Sequence, residues 1–182
     1  MAQTLKGADS RGTGIESTAR GQMKSQTESL SGLQQAALRG DAYSMTNVTY
    51  DYDAADTILG VENVSTTRQF HVDHVVFSGS TASVVTMHVV TSDVTMAGTA
   101  VTPTNLNTRS GNSGSDLSAK ADETGNTQGS KVWEGLMPAA LSQTVHFGGS
   151  VILGASKMFG VDFAADGTTA YVTIVGWFED NA

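Results

Sequence analysis

After Asp41 the sequence becomes a series of short runs rich in Val, Ile, Thr, Tyr and Phe, each closed by Gly, Ser, Asn or Asp. That punctuation excludes most folds. β-Branched and aromatic side chains fit a pleated, half-buried surface, while Gly, Asn and Asp end each run by supplying turns. The runs are residues 42–51 (AYSMTNVTYD), 68–77 (RQFHVDHVVF), 83–90 (SVVTMHVV), 145–153, 157–163 and 170–179 (AYVTIVGWFE). In the last of these, Val172, Ile174, Gly176 and Phe178 alternate with Tyr171, Thr173, Val175 and Trp177. Both sets are apolar enough to be covered, which predicts a second sheet on one face and a neighbouring subunit on the other. Short strands at this spacing predict an all-β, antiparallel β-sandwich or jelly-roll-like domain over residues 41–182. Two hairpins are expected, one between 68–77 and 83–90 around Ser78-Gly79-Ser80-Thr81 and one at Asp166-Gly167. The runs 145–153 and 157–163 form a further pair about Gly154. Asn47 and Asn63 match the glycosylation pattern but read as strand residues.

Residues 1–40 differ in kind. Over 1–26 the apolar residues Leu5, Ile15 and Met23 are isolated and show neither strand nor helix period, so the segment predicts an extended arm without a core of its own. Over 27–39 (TESLSGLQQAALR), Leu30, Leu33, Ala37 and Leu38 recur near helical spacing, Thr27 or Ser29 can cap the start, and Gly40 suits a left-handed stop. A short amphipathic helix is expected there, ending the arm. The net charge of −8 is unevenly spread: residues 1–40 hold five basic and three acidic side chains, and 41–182 hold five basic and fifteen acidic. The acidic body should repel nucleic acid, and the basic arm suits an acidic surface.

Between the strand runs lies a polar stretch. Pro103 in 99–107 marks a sheet edge or strand end, because proline cannot donate to a ladder. Residues 108–130 hold almost nothing apolar except Leu117 and predict a long exposed loop.

The residues that carry chemistry form no recognisable constellation. There is no cysteine, which excludes disulfides, thiol catalysis and Fe–S ligation. His71 and His74 are three apart on an expected strand and so should face opposite ways. His71, Asp73 and a cross-hairpin His88 make only a weak metal set. Asp51, Asp53 and Asp56 lack the Gly and Glu of a calcium loop. Neither a nucleophile elbow nor a phosphate-binding loop occurs. No enzyme, cofactor or metal site is therefore expected. No apolar run approaches the ~18 residues of a membrane span, and the first residues have no signal-peptide core. Tyr43, Tyr50, Tyr52, Trp133, Tyr171 and Trp177 could form a sugar-stacking platform or simply pack.

Three stretches carry a resemblance: 40–65 (GDAYSMTNVTYDYDAADTILGVENVS), 98–114 (GTAVTPTNLNTRSGNSG) with 121–130 (ADETGNTQGS), and the closing 171–179 (YVTIVGWFE). Together they resemble small virion structural proteins of tailed bacteriophages, of the capsid decoration or cement kind with jelly-roll-like β domains. The resemblance implies a homotrimer on the outer capsid surface, made in the host cytoplasm, with the major capsid protein as partner and an arm reaching adjacent capsid subunits. Within that reading the patterns above select Leu5, Arg11, Ile15, Arg20 and Met23 as shell contacts. Leu30, Leu33 and Leu38 are selected for helix docking, and Tyr171, Val175 and Trp177 for the subunit interface. A fibre-tip or carbohydrate-binding module and a tail or neck component are the alternatives.

Overall fold

The computed structural model describes residues 14–17, 23–26, 30–53, 57–92, 94–124 and 129–181. It divides into two compact units, Met1–Ser31 and Gly32–Ala182. In the first, β1 (Gly14–Ser17) pairs antiparallel with β2 (Met23–Gln26), with Ile15 opposite Ser25 and Ser17 opposite Met23. The N-terminal segment thus contains a two-stranded ribbon, which the lack of an apolar period did not suggest. A ribbon closes on backbone hydrogen bonds and needs no apolar alternation.

The second unit opens with α1 (Gly32–Arg39). The helix begins at Gly32 rather than near residue 27, so Leu30 precedes it and the helix belongs with the β domain; residues 27–29 lie outside the described residues. Its stop is the expected one. Gly40 has φ of 82°, its N–H donates to the Ala37 carbonyl at 3.1 Å, and Asp41 N–H donates to the Ala36 carbonyl at 2.9 Å. These two bonds satisfy carbonyls that a helix end leaves open.

Eleven strands follow: β3 (Ala42–Tyr52), β4 (Thr57–Asn63), β5 (Arg68–Gly79), β6 (Ser83–Val90), β7 (Thr99–Val101), β8 (Thr104–Asn105), β9 (Leu117–Glu123), β10 (Ser130–Met137), β11 (Gln143–Leu153), β12 (Lys157–Phe163) and β13 (Gly167–Asp180). They form a five-stranded sheet in the order β11-β5-β13-β3-β8 and a six-stranded sheet in the order β10-β6-β12-β4-β9-β7. Every pairing is antiparallel. With β7, β8 and β9 set aside, the remaining eight strands alternate between sheets as β11-β5-β13-β3 and β10-β6-β12-β4. That is the jelly-roll connectivity, two Greek keys folded face to face. The segment between β6 and β10 is an insertion that travels to the far flank and extends both sheets there.

This topology corrects three local expectations. β5 and β6 lie in different sheets, and so do β11 and β12, and β12 and β13. The turns at 78–81, Gly154 and Asp166-Gly167 are therefore arches that carry the chain from one sheet to the other, not hairpins. The polar stretch 108–130 is likewise no single loop. It contains β9, which pairs with β4 on one side and β7 on the other and buries Leu117, Ala119, Ala121 and Glu123 in alternation. Alanine is small enough to pass for loop composition, yet it fills the shallow edge of a sandwich. Pro103 does stand at the edge, between β7 and β8, where the chain passes from one sheet to the other.

The core lies between the sheets. Phe70, Val72, Val75 and Phe77 of β5 meet Phe159, Val161 and Phe163 of β12, with Tyr43, Met45, Ile174 and Phe178 alongside. Edge-to-face ring pairs join Tyr43 to Phe178 (6.0 Å), Phe70 to Phe178 (5.2 Å) and Tyr52 to Phe163 (5.5 Å). The inward residues of β5 step by two, then three, then two. A bulge opposite Val175 and Gly176 accounts for the longer step. It turns Asp73 and His74 to the same outer face as His71, so His71 and His74 do not face opposite ways.

Candidate functional site

Trp177 of β13 shows how the closing strand is covered. It is 5% exposed and lies under α1, in a cluster with Ala36 and Ala42 against which Leu33 and Ala37 pack. His71 stacks on its indole at 5.3 Å with the rings 9° apart, and His71 Nδ1 lies 3.1 Å from the Gly149 carbonyl oxygen. Gly32 and Gly149 approach the same indole so closely that a Cβ at either would sit 2.7 Å or 2.3 Å from a ring carbon. At Trp177 the second face of the strand is thus covered by this chain's own helix. Val175, at 7% exposure, is buried as well, while Tyr171 stays 51% exposed.

The other sequence-selected residues separate similarly. Leu33 docks, Leu30 is half-buried, and Leu38 points outward at 71% exposure, so the helix presents its docking stripe through Leu33, Ala36 and Ala37. Leu5, Arg11 and Arg20 lie outside the described residues; Ile15 and Met23 sit on the N-terminal ribbon. Among the described side chains the aromatic residues make no common platform. Tyr43 and Tyr52 are buried in the core, and Trp133 is half-buried against Phe77 at 5.8 Å. Of the Asp51, Asp53 and Asp56 set, Asp51 belongs to β3 and Asp56 lies outside the described residues.

His88 belongs to the six-stranded sheet, opposite Gly160, and so is not beside His71. Its Nδ1 lies 2.8 Å from Asp162 Oδ2, off the line of a good hydrogen bond, with both side chains buried. A Cβ on Gly160 would meet the imidazole at 2.7 Å, so the glycine makes room for the ring.

The inserted segment is fastened at the start of the domain. The Gly40 carbonyl accepts from Asn105 Nδ2 at 2.7 Å and Asn112 Nδ2 at 3.2 Å, and Tyr43 Oη donates to the Ser113 carbonyl at 3.1 Å. Arg68 reaches both partners of this junction. It donates through Nε to Asp116 at 3.0 Å and through a terminal nitrogen to Asp41 at 3.2 Å, and it lies 4.3 Å above the Phe178 ring. Burial lowers the guanidinium's pKa, but the hydrogen bond and charge of Asp116 outweigh it and leave the group firmly protonated.

At the opposite flank no further strand pairs with the sheets among the described residues. β10 and β11 are its edge strands. On β10, Val132 is 41% exposed and Leu136 77%, and Leu141 in the following connection is 58% exposed. Leu136, Pro138, Val84, Ala82, Ala164 and Ala165 line an open apolar groove beside that edge. Sequence reading passed over β10, because its apolar residues alternate with Lys131, Glu134 and Gly135 and gave no compact run.

Compared with protein-family models, curated proteins and solved structures, the chain matches none of them. Among the described residues no helix is long and apolar enough to cross a membrane.

Proposed function

We propose that this chain is a non-enzymatic structural protein of a phage virion, a jelly-roll subunit that decorates the capsid surface and stabilises the shell by binding major capsid subunits. The observation that carries the reading is the bare β10–β11 flank, where exposed leucines border an apolar groove at an unpaired sheet edge. Exposed apolar surface of this kind costs solubility unless a partner covers it. Two features support it further: a jelly-roll topology, which recurs in capsid proteins, and an N-terminal segment that forms a compact unit apart from the β domain. Contacts made only in the assembled shell stabilise that shell by linkage. Self-association as a homotrimer belongs to the same reading, with the flank or the N-terminal unit as the joining surface. The burial of Tyr43, Tyr52 and Trp177 weakens the aromatic argument for the carbohydrate-binding alternative.

The test uses shells and the full chain beside a variant starting at Gly32. The full chain should co-sediment with shells at many copies per particle and raise their disassembly temperature. The shortened chain should keep its β-sheet circular dichroism and lose most shell binding. Equal decoration by both forms would remove the N-terminal unit from the role. A failure of the full chain to bind any shell would defeat the reading, and a handful of copies per particle would favour a tail or neck component.

A further inference from the structure

On the outer face of the five-stranded sheet three metal-ligating side chains converge. His74 of β5 and His146 of β11 are direct cross-strand partners, their rings 5.4 Å apart and tilted by 40°. The bulge in β5 brings Asp73 to the same face, where its Oδ2 lies 2.7 Å from His74 Nδ1. One ligand atom from each of the three residues falls within 4.8 Å of the others. Asp73 and His74 are partly buried, with side chains 19% and 23% exposed, while His146 is exposed. Among the described residues, His74 is the only charged or chargeable group within ion-pair distance of Asp73.

We propose that Asp73, His74 and His146 form a binding site for a divalent transition-metal ion of the zinc type. Two imidazoles and a carboxylate are the donors that zinc and its neighbours select over magnesium or calcium, which want oxygen ligands. Bonds of about 2.0 to 2.2 Å place tetrahedral ligand atoms about 3.3 Å apart. The exposed His146 ring can close that gap by rotating about its side-chain bonds, and solvent takes the fourth position. Asp73 serves as a ligand or, bonded to Nδ1, fixes the His74 tautomer so that Nε2 faces the ion.

The location gives the ion a task. Just beyond His146 the ladder between β11 and β5 breaks, resuming only at Val151, and β11 is the edge of its sheet. An ion held by His74 and His146 cross-links the edge strand to its neighbour at the last paired position before that break. In a chain with no cysteine it takes the place a disulfide would fill. The site stands whether or not the chain binds capsids.

The test is titration of the untagged full chain with Zn2+ by calorimetry and with Co2+ by visible absorption. The expected results are one ion per chain, the intense ligand-field bands of tetrahedral Co2+, and a higher melting temperature with Zn2+ present. His146→Ala, His74→Gln and Asp73→Asn should each weaken binding by about tenfold or more. His71→Gln, altering the ring stacked on Trp177, should leave it unchanged. Circular dichroism of each metal-free variant reports whether the sandwich is intact; His146 is exposed on an edge strand, so that variant carries the test if the others unfold. Affinity weaker than about millimolar in the full chain, or binding that survives His146→Ala, overturns the proposal.

Discussion

The two flanks of the sandwich are finished in opposite ways. On one, the insertion between β6 and β10 adds β8 to the five-stranded sheet and β9 and β7 to the six-stranded one. On the other, β10 and β11 are the last strands of their sheets, with no further strand paired to them among the described residues. The closed flank is made from the most polar part of the chain and the bare one carries exposed leucines, the reverse of what composition suggests. An edge is closed by pairing its backbone groups, and a polar segment does this well when alanines fill the shallow core beneath it and hydrogen bonds fasten its ends. Ending the sheets on strands as short as β7 and β8 also shortens the row of open donors and acceptors that invites another chain. The bare flank keeps that row.

The largest expected effect tests the contrast directly. Ala119 is 4% exposed between Val61 and Val101. Ala119→Asp should cost about 3 to 5 kcal/mol in urea unfolding, because the new charge has no partner there. Leu136→Asp on the bare flank should stay within about 0.5 kcal/mol of the parent while reducing self-association in sedimentation. A destabilised Leu136→Asp would mean that the bare flank is core after all.

A middle-sized effect is expected at the fastening. Arg68→Met keeps an apolar stem on Phe178 but removes the guanidinium from Asp41 and Asp116. The loss should be about 1 to 2 kcal/mol, with amide exchange accelerated in β9 more than in β10. Uniform acceleration would show that the insertion is not held locally.

The smallest effect concerns Glu62 of β4, opposite Ser118 of β9, whose carboxyl burial raises above the usual carboxylate range. A raised folded value means the folded state holds the proton more tightly. The ionised group therefore destabilises at neutral pH, and stability is regained as pH falls through the folded value. Glu62→Gln should be more stable at pH 7 by less than about 0.5 kcal/mol, since the group is only partly buried and solvent still screens it. That advantage should vanish near pH 3, checked by thermal melts at both values.

Much of the fold was legible from side-chain period. The strands over 42–51, 68–77, 83–90, 157–163 and 170–179 were set by β-branched and aromatic runs, the helix stop by Gly40, and the edge by Pro103. Sheet membership was not legible. A glycine turn such as 78–81 reverses the chain equally well within one sheet or across to another, and only the rest of the sandwich decides. The β5 bulge left a readable trace in the apolar steps Phe70, Val72, Val75, Phe77, hidden because Val76 is also apolar. The histidine cluster was missed for the same reason: without the bulge, Asp73 and His74 fall on opposite faces, and His146 is more than seventy residues away. Burial of Trp177 was foreseen, but its cover was not, since a helix with so weak a stripe gives little sign of which surface it serves.

The position of β13 governs when the domain can form. It is the middle strand of the five-stranded sheet, flanked by β5 and β3, and it comes after every other strand in the chain. Its partner β3 lies near the start, with Tyr43 opposite Gly176. As the polypeptide leaves the ribosome, that sheet has a gap at its centre until β13 emerges, and α1, made first, waits for Trp177 before it has anything to lie on. Such sequence-distant pairing makes folding slow. The five-stranded sheet can therefore be completed only once β13 has been made.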